Sequence, residues 1–513
     1  MELLPVLYII LPLLGAFLIP IAGYFAKASP KIITVIITLF LTIYNIWFFA
    51  TGFDSVLTTR IGGWQAFNNI PIAIYLVHDG LSAFILLTVN LLSFFSAFYA
   101  MGYINRYTGE THFYALFCLM VAGMNGVVLS GDIFNIYVFL EIAVIASYAL
   151  VAFGTEKQQL EASFKYQVLG GIASLLILFA IGLLYWQTQT LNLADISAVL
   201  AEDSSRPNVL IFTEVLLITG FGLKAAMIPF HAWLPDAHSS APAPISAMLS
   251  GVLIKAVGIY VLFRLFFNIF ALSYETSMVI LTLGILSMVI GVLLAIGQWD
   301  LKRLLAYHSI SQMGYVVMGL GIGMLILVND GDKTIAALSM AGGLFHLINH
   351  ALFKGLLFLD SGAIEYRTGT RNLRKMGGTA GKMPVTSATS LGASLAISGI
   401  PPFNGFFSKL LIIIAAVRAE FYLLAALAVF VNFVTLGSFM KFMRYAFYNK
   451  SGNNLNFITS SLPFSMKFSM IAMVILCVLT SLLVFPCFRE ILLNPAVDAL
   501  INTSEYTTTI IGT

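Results

Sequence analysis

The chain has 513 residues, of which 59% are hydrophobic and only 10% charged. Soluble domains carry about 25% charged residues, so this chain cannot clothe a water-facing surface and is predicted to be an all-α polytopic membrane protein. The net charge of +3 is small and scattered, without a basic stripe interleaved with aromatics, so no nucleic-acid partner is implied. Cys118, Cys477 and Cys487 form no CxxC and no ligand-spaced Cys/His set, so nothing points to a cofactor, cluster or metal held by this chain.

A membrane-crossing helix takes about 20 predominantly apolar residues. On that measure about fourteen spans follow one another, near residues 3–23, 32–50, 80–102, 111–130, 132–153, 163–186, 209–229, 242–267, 277–298, 303–328, 335–360, 384–417, 421–447 and 466–486. The first, within MELLPVLYIILPLLGAFLIPIAG, lacks a basic lead segment and a cleavage site and reads as a helix that stays. Residues 51–78 bear Gly and Asn (GGW, FNN) among short alternating segments, which predicts a small extracytoplasmic hairpin. The seventh span runs into Pro229, and the twelfth is interrupted by SGIPPFNGFFSK, so both are expected to be discontinuous.

Most of the 26 Lys and Arg lie in or beside loops that follow odd-numbered spans, among them Lys27, Arg106, Lys302, Arg303 and Arg374. Arg60, Arg206, Arg264, Lys333, Arg418 and Arg489 lie on the other side. The positive-inside rule then places both termini outside the cytoplasm. The loop at 361–383 is the most basic of the cytoplasmic ones; it sets topology, or it meets anionic lipid or a partner subunit.

Four lysines, Lys224, Lys255, Lys354 and Lys409, and a mid-span glutamate, Glu141, fall inside the spans. A lysine at the bilayer centre costs roughly 2.5 to 3.5 kcal/mol on insertion scales, so such residues face a partner or a wet cavity and mark ion paths. Glu141 is about ten residues into its span, roughly 15 Å deep, where a carboxylate keeps its charge only beside a cation. Lys224 is the candidate cation, and a neutral Glu bonded to a neighbouring helix is the alternative. Lys224 precedes Pro229, and Lys409 follows Gly399 to Gly405; two Gly/Pro-interrupted segments in corresponding halves point to inverted repeats with ion sites at the breaks. Spans 4 to 8 and 9 to 13 are the proposed repeats. The chain then divides into 1–110, with three helices and the hairpin; 111–267, the first repeat; 277–447, the second; and 448–513, a last helix and tail.

Lys255 follows the APAP turn by about eleven residues; snorkelling to an interface is its alternative, a task for which Arg264 is better placed. His346, His350 and Lys354, at i, i+4 and i+8, drift by only about 80° around a helix and form one polar stripe. Histidines at i and i+4 can hold zinc, but HLINH lacks the Glu of HExxH and no carboxylate ligand is near. His308 either extends the stripe or makes an ordinary hydrogen bond. His231, Asp236 and His238 follow the first break and serve either loop hydrogen bonding or proton uptake. Asp132, at the start of a span, reads as a helix cap.

The stretch from Gly222 to Tyr260, GLKAAMIPFHAWLPDAHSSAPAPISAMLSGVLIKAVGIY, resembles the central signature of the antiporter-like subunits shared by respiratory complex I, Mrp-type Na+/H+ antiporters and membrane-bound hydrogenases. Supporting pieces recur from Gly62 to Lys409. The resemblance implies that Glu141 matches the glutamate of the fifth helix, which pairs with the lysine of the seventh, Lys224. It also implies a five-helix inverted repeat and an extracytoplasmic cap. After the last span about 27 residues remain, too few for the lateral helix of the distal complex I subunit, and the D-type Mrp subunit is the most similar.

Together these readings predict a subunit that moves H+ and/or Na+ along a central, hydrated chain of Glu141, Lys224, Lys255, His346, His350, Lys354 and Lys409. His231, Asp236, His238 and His308 would serve proton uptake. Its expected partners are antiporter-like membrane neighbours, the lipid bilayer and in some assemblies a peripheral redox arm, in a prokaryotic plasma membrane. Alternatives are a stand-alone transporter, which predicts activity from the single chain, a quinone-reactive redox subunit, which predicts a redox spectrum, and a passive scaffold, which leaves the insertion cost of the lysines unexplained.

Overall fold

The structure is a computed structural model that describes residues 5–51, 56–62, 73–202, 206–449, 457–458, 461–502 and 507. The chain opens with α1 (Leu7–Phe25) and α2 (Ser29–Ala50), followed by an antiparallel hairpin of β1 (Leu57–Ile61) and β2 (Ile74–His78), in which Leu57 faces His78 and Ile61 faces Ile74. The hairpin matches the expectation, although residues 63–72, which carry most of GGW and FNN, lie outside the described residues. Next come α3 (Gly80–Tyr103), α4 (Glu110–Leu129), α5 (Ile133–Val151), α6 (Lys157–Thr188), α7 (Leu193–Glu202) and α8 (Asn208–Lys224). Asp132 caps α5 as expected, accepting from the Asn135 amide at 2.8 Å.

Among the described residues twelve helices are long and apolar enough to cross a membrane. The seventh and twelfth expected spans are missing from that set because the first of them stops short at Lys224 and the second is cut in two. Helix α8 stops at Lys224, and after a turn the chain enters α9 (Trp233–Ser240). The twelfth span is α15 (Pro384–Ile397) and α16 (Asn404–Arg418) on either side of a turn. Ala226 (φ +54°) and Gly399 (φ +64°) take the left-handed conformation there, where the helical hydrogen-bond ladder ends. The discontinuity predicted from Pro229 and the Gly/Pro cluster is therefore observed.

At the centre lies α10 (Ala243–Met248), continued by two π-helical stretches, Leu249–Leu253 and Lys255–Tyr260, and by α11 (Val261–Asn268). Every residue of this helix is buried, as a helix apolar on all faces requires. It is ringed by α3, α4, α8 and by α14 (Lys333–Thr368). Arg264 does not snorkel: it is 2% exposed and holds Asp79 through two bonds of 2.6 and 2.7 Å. Because Asp79 also caps α3 through Ser82, that ion pair fastens the hairpin end of α3 to α11.

The second half contains α12 (Tyr274–Ile296), α13 (Leu301–Val328), α14, α15, α16 and α17 (Tyr422–Met443). Helix α14 runs past the expected end at 360 to Thr368, so the basic loop begins only at Gly369. The chain closes with α18 (Phe464–Leu479), α19 (Pro486–Leu492) and α20 (Asn494–Ile501). Instead of a plain tail, α20 folds back on α3, and the Asn268 side chain donates to Ala499 O at 2.8 Å. Outward faces of the peripheral helices carry Phe17, Leu175, Phe433 and Phe464, all well exposed, the surface such helices present to lipid.

Candidate functional site

None of the four intramembrane lysines reaches outward. Lys224 and Lys409 are 3% exposed, Lys255 1% and Lys354 0%, which rules out snorkelling for each. Lys224 is the last residue of α8, where helical carbonyls run out and a cation is favoured. Its ammonium lies 3.8 Å from Glu141 Oε1 on α5. Between them stands Ser174 of α6, which accepts from Lys224 Nζ at 2.8 Å and donates to Glu141. The pair is thus an ion pair one hydroxyl wide. Glu141 has both a cation close by and a bond to a neighbouring helix.

At the second break the freed carbonyl of Ile397, at the end of α15, accepts from Lys409 Nζ at 2.7 Å, and Asn432 Oδ1 of α17 accepts at 2.7 Å. The ammonium also lies 4.8 Å from the centre of the Tyr315 ring, within cation-π range. Lys409 sits inside the helix after its break, whereas Lys224 ends the helix before its own, so the two lysines approach their breaks from opposite sides. Gly399 is tightly boxed here: a Cβ would come within 3.3 Å of the Asn432 amide and 3.4 Å of Lys409 Cδ. Gly399→Ala is therefore expected to cost about 1–2 kcal/mol for the left-handed backbone alone and to displace the Lys409 stem. Thermal unfolding of the purified variant, read beside its ion flux, checks both effects.

Between the breaks, α14 presents the predicted stripe. His346 bonds Ser408 Oγ of α16 at 3.0 Å and Gln312 Oε1 of α13 at 3.2 Å, and its ring lies 5.5 Å from that of Tyr315, which carries Lys409 on its face. His350 is fully buried, with no hydrogen-bond partner for either ring nitrogen among the described residues. Lys354 donates to Leu305 O at 2.6 Å. Lys255 curls back onto the carbonyls of Ser250 and Gly251, the first at 2.8 Å. The π-helical winding around Lys255 changes the register of carbonyl bonding, a feature frequent at functional sites. The charges of Lys255 and Lys354 both act on the His350 and His238 rings, so these four side chains form one electrostatic group. This group adjoins the first break, where Gly258 packs so closely that a Cβ would lie 2.8 Å from Ala225 Cα.

The four residues assigned to proton uptake separate. His238 is buried beside the Phe358 ring at 5.6 Å and belongs with the central group. His308 bonds Ser438 Oγ at 2.8 Å and lies against Phe439, whose ring also faces Lys354 at 6.0 Å. His231 is half-buried near Tyr307. Asp236 joins a charged rim instead, paired with Lys165 at 3.1 Å and Arg303 at 2.6 Å. A polar cavity of about 430 Å³ opens beside this rim, with Lys302 and Glu365, 3.2 Å apart, among its lining residues. Ser174, Gln312, Ser408 and Asn432, which join the charged groups, are invisible to sequence reasoning because a lone serine, glutamine or asparagine in an apolar run carries no signal of its partner.

The family described as "NADH:quinone oxidoreductase/Mrp antiporter, TM" matches residues 130–435, a segment that holds Glu141, the four buried lysines, His346 and His350. The chain belongs to this family. It is 35% identical over 452 residues to the D-type subunit of the Na+/H+ antiporter of Alkalihalophilus pseudofirmus, a match that covers 87% of each chain. It is also 35% identical over 392 residues to the N-type subunit of the NADH-quinone oxidoreductase of Desulforudis audaxviator, 75% of this chain and 74% of that one. Among solved structures it is similar to a chain of the Mrp complex from Dietzia sp. DQ12-45-1b, with a TM-score of 0.87, 26% identity and full coverage of both chains. It is likewise similar to a chain of the membrane-bound sulfane sulfur reductase, an archaeal respiratory membrane complex, with a TM-score of 0.86, 28% identity and 99% coverage of both.

Proposed function

We propose that this chain is the ion-translocating, antiporter-like subunit of a multi-subunit membrane complex, and that it moves H+ and/or Na+ along the row formed by Glu141, Lys224, Lys255, His346, His350, Lys354 and Lys409. The observation that carries this reading is the burial of four lysines and three histidines (His238, His346 and His350) around the central helix and its two flanking breaks. Structural economy would have removed such charges, because buried cations are costly unless they serve a function. Relatives that are subunits of a Na+/H+ antiporter and of an NADH-quinone oxidoreductase, and the likeness to a chain of an Mrp complex, support other membrane subunits as partners.

In this scheme the lysines and histidines hand charge from one to the next, and each transfer changes the affinity of the neighbouring group for a proton. Two unit charges about 4 Å apart interact by roughly 4 kcal/mol at an effective dielectric constant of about 20, enough to shift the occupancy of an adjacent site many-fold. Ser174 supplies the switch: rotated out, it lets Lys224 close on Glu141, and rotated in, it holds the pair apart. Glu141, whose side chain is 26% exposed on the surface of this chain, is the member placed to sense a neighbouring subunit. The two halves, 111–267 and 277–447, each contribute one break. The basic rim of Lys165, Arg303 and Arg371 supports a cytoplasmic position for that face, and hence extracytoplasmic termini in a plasma membrane.

The test is ion flux by the complex purified with this chain and reconstituted in liposomes. Driven uptake or release of H+ or of Na+, lost when this chain is omitted, is the expected result. Full flux without the chain would refute the reading. Activity from the chain alone would favour a stand-alone transporter.

A further inference from the structure

Three acidic side chains are buried among the described residues: Asp79, Glu214 and Asp360. Asp79 is held by Arg264 and Glu214 by Arg206. Asp360, 0% exposed on α14, has no basic partner among the described residues; it meets two hydroxyls of α15, Thr389 Oγ1 at 2.8 Å and Ser390 Oγ at 3.1 Å, one on each carboxylate oxygen. One turn earlier on the same face of α15, Thr386 is also fully buried, and its hydroxyl has no hydrogen-bond partner among the described residues. Among the described residues, the titratable groups that face Asp360 from other helices are Cys477 of α18 and Tyr99 of α3, neither of them a cation, so the carboxylate is neutralised by a proton or a bound cation.

The oxygen set fits a small cation. Carboxylate and hydroxyl oxygens suit hard, spherical ions. An ion of the size of Ca2+ takes oxygens at roughly 2.3–2.6 Å, which puts neighbouring ligand atoms about 3 Å apart; the two hydroxyls, which donate to Asp360 in the structure, stand at 2.8 and 3.1 Å from its carboxylate oxygens, a spacing an ion could bridge in place of the hydrogens. Thr389 Oγ1 is also 3.0 Å from Val385 O, so its hydrogen can turn to that carbonyl and leave a lone pair toward the ion. With one negative charge in the set, a monovalent cation neutralises the site and a divalent one leaves it charged. We propose that Asp360, Thr389 and Ser390 form a Na+ site at which Na+ and a proton compete for the carboxylate, with Thr386 on its approach.

Asp360 lies eight residues before the end of α14 and Thr389 five residues after the start of α15. At about 1.5 Å per residue both are roughly 8–12 Å inside the face that carries the 369–383 loop. The site is distinct from the lysine row, since Lys354 is six residues earlier and on another face of α14. Its test reads occupancy and not transport, so its failure leaves the proposed translocation row untouched.

Dicyclohexylcarbodiimide modifies protonated carboxyl groups in apolar surroundings. Labelling of the Asp360 peptide in the intact, detergent-purified complex, followed by mass spectrometry at mildly acidic pH, should be slowed by about tenfold in saturating NaCl, one decade of competition, and not by KCl of equal ionic strength. In Thr389→Val/Ser390→Ala the labelling should persist and the Na+ protection should disappear. Equal labelling in NaCl and KCl, absence of labelling without Na+, or protection undiminished in the double variant would each overturn the proposal. Should that variant fail to assemble, the comparison of NaCl with KCl on the unaltered complex decides alone.

Discussion

Lys224→Ala is expected to reduce ion flux through the assembled complex to the level of liposomes without protein, with subunit content and thermal stability much less affected. The asymmetry follows from the geometry. Lys224 makes one hydrogen bond, to Ser174, and faces Glu141 at 3.8 Å without touching it, so its removal leaves no rigid framework unsatisfied. The single Ser174 hydroxyl hydrogen still has Glu141 or Gly170 O, at 3.1 Å, as acceptor. What is lost is the only cation in reach of the carboxylate among the described residues, and with it any charge movement that depends on opening and closing the pair. Glu141→Gln should have a similar but smaller effect on flux, because the amide still accepts from Ser174 but carries no charge. Flux measured with a pH-sensitive dye and with radioactive Na+ on both variants checks this; flux at the unaltered level in Lys224→Ala would remove the pair from the mechanism.

Arg264→Ala should do the reverse, with its largest effect on stability. Both guanidinium nitrogens that hold Asp79 do so at ordinary bond lengths, and Arg264 also donates to Asn268 Oδ1 at 3.2 Å and to the Tyr260 hydroxyl at 3.2 Å. Tyr260 in turn donates to Val128 O at 2.7 Å. Removing one partner of a buried ion pair strands the other charge and costs about 3–5 kcal/mol, whereas replacing both is often close to neutral. Thermal unfolding of Arg264→Ala should thus show a large loss, and Arg264→Met/Asp79→Asn a clearly smaller one. Equal losses in both would mean that the shape of the arginine, and not the stranded carboxylate, dominates.

The two ion pairs also show what can be read from the sequence. Glu141 and Lys224 are legible because a charge in the middle of an apolar run has few explanations, and Pro229 and the Gly399 to Gly405 cluster announce the breaks. Arg264 looks like a snorkelling residue because it stands near the end of a span, and its partner Asp79 is 185 residues away. Asp360 is hidden for a related reason. The hydropathy pattern ends the eleventh span there, at the membrane edge, but α14 continues to Thr368 and buries it. The π-helical turns around Lys255 have no sequence signature; the structure shows Gly258 within them packed closely on Ala225, just after α8. Bridging hydroxyls such as Ser174 depend on which helices meet, a property of tertiary packing that no local pattern encodes.

The central claim is that the buried basic groups act as one row through which an ion passes. Lys354 belongs to its central group, with Lys255, His350 and His238 as its electrostatic neighbours. The direct measurement is ion flux into proteoliposomes containing the fully assembled complex with Lys354→Met, a replacement that keeps the volume of the stem and removes only the charge. The row predicts flux indistinguishable from that of protein-free liposomes; flux at the rate of the unaltered complex would contradict it.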